Sequence, residues 1–152
     1  MIHRILQTDD EWSLTMVRVV LGIVIFPHGA QKLLGWFGGY GFASTMDFFT
    51  GTAGLPWIVG FLAIMIEFFG PFMLIAGAGT RISAAAIFGL FTGIILHSHL
   101  QHGFFMNWFG QMPAGAEGFE FHLLVLGMAA ALFVSGGGKH ALDRYLLKKL
   151  TK

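Results

Sequence analysis

Four apolar stretches, at about residues 12–34, 55–78, 82–100 and 119–135, take up most of this 152-residue chain. An α-helix rises about 1.5 Å per residue, so roughly 20 residues of helix cover the ~30 Å hydrocarbon layer of a bilayer. Each stretch is of that order, the fourth being the shortest. Lipid admits only backbone that satisfies its own hydrogen bonds, which leaves helices for segments of this kind. The expectation is an all-α, integral membrane four-helix bundle forming a single domain over residues 1–152.

A water-soluble helical domain fits the composition poorly. Charged residues make up 11% of the chain and hydrophobic residues 55%, and mean hydropathy is +0.72, whereas about a quarter of a soluble domain is charged. A water-facing helix also needs a polar stripe at 3.6-residue spacing, and Ile82 to Leu96 offers only Ser83 and Thr92. The first stretch is too long for a signal-peptide core, is interrupted by Arg18 and Pro27, and follows Asp9, Asp10 and Glu11, so the mature chain is expected to keep it. With no cysteine, thiolate ligation and disulfide exchange within the chain are excluded.

The cations set an expected orientation. Arg4, Arg81, Lys139, Arg144, Lys148, Lys149 and Lys152 lie in the N-terminal segment, the second loop and the C-terminal tail. The positive-inside rule then places both termini in the cytoplasm. A formal net charge of +1 argues against nucleic-acid binding. The tail from Lys139 reads either as a short amphipathic segment on an anionic leaflet or as a plain positive anchor.

The second loop, around Gly79 and Thr80, is so short that spans two and three must be antiparallel neighbours. Two longer loops, Gly35–Gly54 and Gln101–Gly118, are expected to be structured, aromatic-rich and on the outer face. Each contains Trp-Phe-Gly, at 36–38 and 108–110, a hint of a duplicated hairpin. Their aromatics form either a headgroup belt or a slot for a flat apolar ligand such as a quinone ring, with Trp36 and Trp108 as its candidate walls. Gly89 and Gly93, four apart, suggest close helix packing.

Ionisable groups at membrane depth are expensive and are retained with a partner or a role. Arg18 and Glu67 are expected to pair, their backbones differing in depth by roughly 8 Å on this reading. Pro71 frees the carbonyl of Glu67, and Pro27 kinks span one just before His28. His28 and Lys32 are one turn apart. His97 and His99 diverge by about 160° on an ideal helix, as do Glu120 and His122, so one of each pair should face inward. By the orientation argued above, His28, Lys32, His97, His99, His102, Glu117, Glu120 and His122 gather toward the outer leaflet.

Quinone reduction needs two protons, which His and Glu at depth can relay. Arg18, Glu67, His28 and Lys32 are therefore the candidate catalytic residues, with His99, Glu120, Trp36 and Trp108 lining a cofactor pocket. A haem or metal held by His28, His97, His99 and His122 is the alternative, although no His-Glu-x-x-His spacing is present.

The chain resembles the DoxX family of small four-helix bacterial membrane proteins. The matching residues are Arg18, Gly22, His28-Gly29 and Lys32-Leu33-Leu34-Gly35 in span one, and Glu67 with Gly70 in span two. Gly77 with Thr80-Arg81 at the turn, and Glu120 with the tail from Gly136 to Asp143, complete the match. The resemblance implies a bacterial inner-membrane subunit of a quinone-linked oxidoreductase. No dinucleotide fingerprint or thiolate is present to store electrons, so a redox partner or bound cofactor would supply them. A non-catalytic membrane adaptor or assembly subunit for a redox or stress-response complex is the rival, and a transporter would need to oligomerise. Membrane lipids, a protein partner or a second copy are the expected partners.

Overall fold

A computed structural model describes residues 2–113 and 115–151. Lys152, counted above among the cations, lies outside them. All regular structure among the described residues is helical. A short helix α1 (Ile2–Leu6) precedes α2 (Trp12–Leu34). The first long loop folds into a 3-10 turn (Trp36–Gly38), helix α3 (Gly41–Asp47) and a widened π turn (Phe48–Thr52). Helices α4 (Trp57–Ala76) and α5 (Thr80–Ile94) follow. The rod of α5 continues through a π turn (Ile95–His99) and a 3-10 turn (Leu100–His102), and α6 (Glu120–Ser135) and α7 (Leu142–Leu150) complete the chain.

Three rods, Trp12–Leu34, Trp57–Ala76 and Thr80–His102, are long and apolar enough to cross a membrane, and Glu120–Ser135 is a shorter apolar helix. α2 packs on α4, α4 on α5, α5 on α6 and α6 on α2. Their shared core comprises Leu21 and Ile25 of α2, Leu74 of α4, Ala84, Ile87 and Phe91 of α5, and Val125, Ala129 and Leu132 of α6. The outward faces are as apolar as the interior, with Met16, Ile23, Leu62, Phe88, Leu124 and Val134 all exposed. Such a surface is stable against acyl chains and would be a large exposed apolar patch in water.

The α2–α4 crossing is built on glycine. A methyl group on Gly29 would lie under 3.0 Å from the backbone of Glu67 and Phe68, and one on Gly22 would meet Ile75 Cγ1 at 2.7 Å and the Pro71 carbonyl at 3.0 Å. These antiparallel contacts fix the register, and they set Arg18 level with Gly77, whose added Cβ would lie 3.0 Å from the guanidinium carbon.

At the α4–α5 turn, Gly77 and Gly79 adopt left-handed φ of 69° and 61°. The amides of Gly77 and Ala78 donate to the Leu74 and Met73 carbonyls, each at 3.0 Å, closing α4 as helix C-termini commonly close. The opposite problem, open amides at the start of α5, is solved from the tail. Buried Asp143 accepts from the Gly79 amide at 2.6 Å and the Thr80 amide at 2.8 Å. The N-terminal segment joins the same end: the Asp9 amide donates to Ser135 O at 2.9 Å, and the Arg144 guanidinium pairs with the Asp10 carboxylate.

Candidate functional site

The antiparallel register separates the two charges expected to pair. Arg18 and Glu67 are not bonded to each other. Level with Gly77, Arg18 lies ten α4 residues from Glu67, about 15 Å along the axis, beyond comfortable reach. Buried Arg18 instead donates to four backbone carbonyls: Leu74 at 2.8 Å and Ile75 through Nη1, Gly137 at 2.8 Å through Nε, and His140 at 2.9 Å through Nη2. A cation here caps the negative end of α4 and secures the tail.

Glu67 pairs with Lys32, Nζ to Oε2 at 2.5 Å, the carboxylate being buried and the ammonium partly exposed. Gly29 lets the two helices approach at that level, and Lys32, one turn further along α2, reaches back to the carboxylate. Lys32, Glu67 and His28 all line a cavity of about 600 Å³ between α2, α4, α5, α6 and the two π turns. Its walls are mainly apolar, with Phe48, Phe49, Phe91 and Phe121 among them. His97, His99, Glu117 and His122 supply further polar groups.

The two π turns account for what helical spacing alone missed. His97 and His99 were expected to point apart, yet both line the cavity, because Ile95–His99 is wound wider than an α-helix and the 100° step no longer applies. The Phe48–Thr52 π turn brings Phe48 and Phe49 to the opposite wall. For Glu120 and His122 the expected divergence holds. His122 is buried and lines the cavity, whereas Glu120 accepts from the Met106 amide at 3.2 Å and from Trp108 Nε1 at 3.1 Å, bracing the third loop.

His99 Nδ1 lies 2.6 Å from the Glu117 carbonyl. A carbonyl only accepts, so Nδ1 carries the hydrogen, and Nε2 keeps its lone pair in the neutral ring. The His99 and His122 rings are in contact, 4.2 Å between centroids, and His122 Nδ1 is buried without a partner. Among the described residues, no group of three or more His, Asp or Glu side chains is arranged to hold a metal ion.

Of the candidate catalytic and quinone-pocket residues, His28, Lys32, Glu67 and His99 share the cavity, while Arg18, Glu120, Trp36 and Trp108 lie outside it; the four histidines of the haem or metal alternative, His28, His97, His99 and His122, all line it. Trp36 is exposed against the edge of Phe37. Trp108 belongs to a shallower depression in the third loop with His102 and Phe104. The aromatic walls Phe91 and Phe121 carry no sequence signal that separates them from other core phenylalanines.

A family model described as DoxX matches residues 13–108. A Bacillus subtilis (strain 168) protein named "Putative oxidoreductase CatD" is 29% identical over 133 residues, covering 88% of this chain and 86% of its own. No solved structure matches the chain.

Proposed function

The chain belongs to the DoxX family, and from that premise we propose that it is a four-span, bundle-forming inner-membrane subunit of a quinone-linked oxidoreductase. Both termini are cytoplasmic on this reading, because the cations Arg81, Lys139 and Arg144 sit at the end of the helices that carries the Gly77–Gly79 turn. The observation that carries the assignment is the cavity. It is apolar, of ligand-pocket size, and contains the Lys32–Glu67 pair, His28 and the His99–His122 pair.

A quinone accepts two electrons and two protons at its two carbonyl oxygens. The residues present suit such a head: phenylalanine walls for the ring, and Lys32 and the imidazoles as donors for the oxygens. A haem suits them less well, because the His99 and His122 rings touch and leave no space for a macrocycle between them. Lys32 would hold the developing negative oxygen by a charge-assisted hydrogen bond while His28, in the same cavity, passes that oxygen its proton. His99, fixed by its Nδ1–H on the Glu117 carbonyl, would take a proton at Nε2 and return it to the second oxygen. Glu67 keeps Lys32 in place and charged. Electrons would come from a partner protein carrying a redox cofactor, since this chain has no thiolate to hold one.

Quinol formation in membranes containing the protein and its electron-donating partner tests the assignment. Glu67→Gln and His28→Ala should each slow it by about 10²-fold, the usual scale for a lost acid–base or orienting group, and wild-type rates in both would overturn it. The adaptor reading draws on Arg18, four of whose five N–H donors fasten the end of α4 and the tail. It predicts no response of quinol formation to any cavity substitution.

A further inference from the structure

Helices α4 and α5 leave their turn in contact and then part. A methyl group on Gly70 would touch Ile87 at 3.4 Å, whereas one on Gly89 or Gly93 would find nothing within 4 Å. The close packing expected of these two glycines is therefore absent from the structure. Gly89 and Gly93, four residues apart, share one face of α5, and His97 follows in the π turn. All three are exposed at the molecular surface and all three line the cavity. Val59 of α4, also exposed, lines it from the other side. The bulky Phe88 and Leu96 cover the adjoining surface, so the glycines mark a break in an otherwise thick apolar coat. The cavity thus opens sideways, through a slot between two helices that are both long enough to span the membrane. Further in, His122 is 7% exposed and lines the same cavity with its Nδ1 unpartnered.

We infer that the slot along Gly89 and Gly93 is a lateral entry groove, holding the isoprenoid or alkyl tail of a membrane-dissolved ligand while its polar head reaches His122 and the Lys32–Glu67 pair. A water-soluble ligand has no use for an opening that faces acyl chains. A tailed one gains by it, since the tail stays in an apolar medium throughout entry and its burial against Leu90 and Ile94 adds affinity. That the head is a quinone rests on the function proposed above. The groove itself rests only on the parting of α4 and α5 and on the unpartnered imidazole behind it.

The test compares wild-type protein in lipid nanodiscs with the Gly89→Leu/Gly93→Leu double variant and with Gly127→Leu. Gly127 is another glycine with open space around it, but on α6 and away from the cavity. Because an added Cβ at either position meets nothing within 4 Å, the double variant should fold, which its thermal unfolding verifies. Calorimetry follows binding of one benzoquinone ring without a tail and of the same ring with a decyl tail. In a parallel arm, phosphatidylglycerol with a diazirine in mid-chain is photolysed and the labelled peptides are mapped. The groove predicts at least about a tenfold gain in affinity from the tail, lost in the double variant and kept in Gly127→Leu. A tail gain that survives in the double variant overturns the groove, as does the absence of both tail gain and labelling of α5. If neither quinone binds but the lipid chain labels α5 near Leu90 and Ile94 in wild type and not in the double variant, the groove stands and the quinone assignment falls.

Discussion

At the scale of single residues, the costliest groups in the molecule are Lys32, Glu67 and Arg18, and they are balanced in different ways. Glu67 is neutralised by one ammonium, so Lys32→Met should strand a buried carboxylate and lower stability by about 3–5 kcal/mol. Replacing both partners, Lys32→Met with Glu67→Gln, should recover much of that loss in thermal unfolding. Arg18 meets no carboxylate but four carbonyls, and Arg18→Met would remove this donor from those of Ile75, Gly137 and His140, while that of Leu74 keeps the Gly77 amide. Asp143→Ala removes the acceptor for two amides at the start of α5 and should cost about 0.5–2 kcal/mol, the range for a lost cap. The sequence made the presence of these charges legible, because each is expensive at membrane depth. Which groups they meet was not legible. A counting error of a few residues at a span end displaces a side chain by several ångströms, and the register is set by Gly22 and Gly29, whose contacts no hydropathy pattern contains.

At the scale of helices, two glycine sites of similar appearance behave oppositely. Gly29→Leu would drive its side chain into the backbone of α4, and a loss of about 1–3 kcal/mol or more is expected on unfolding. Gly89→Ala meets open space and should be neutral or gain about 0.5–1 kcal/mol of helix stability. If the two measured effects are alike, the separation of α4 from α5 is not as described. The lengths of the apolar runs located the ends of α2, α4 and α6 to within two residues, since long hydrophobic runs dominate local chain preference. It could not foresee the π turns, which are single-turn departures from α geometry with no composition of their own. For that reason the cavity was only half read: His28, Lys32, Glu67 and His99 were named for it, whereas helical spacing turned only one of His97 and His99 inward.

At the scale of the whole molecule, the N-terminal segment, the α4–α5 turn and the tail are tied into one closure. Its outermost tether is Asp10 to Arg144. The hydrogen bond from Arg144 holds the Asp10 carboxyl below its ordinary 3.8, and the same bond raises Arg144. The tether is therefore complete above the ordinary carboxylate value and is lost as pH falls through the lowered one. Hydrogen exchange of α7, corrected for intrinsic rates, should stay flat from neutral pH to about 5 and rise only below 3.8, by a modest amount because the pair is exposed and screened by salt. The positions of Arg18 and Lys32 also bear on how the protein is made. Both cations lie in the first span, and everything that compensates them lies downstream: Glu67, the carbonyls at 74 and 75, and those at 137 and 140. A nascent chain stopped before Glu67 presents the translocon with a segment carrying two unanswered cations, each costing at most the about 2.5–3.5 kcal/mol of a charge at a span's centre, so α2 should settle in the bilayer late, after the helices that answer its charges have been synthesised.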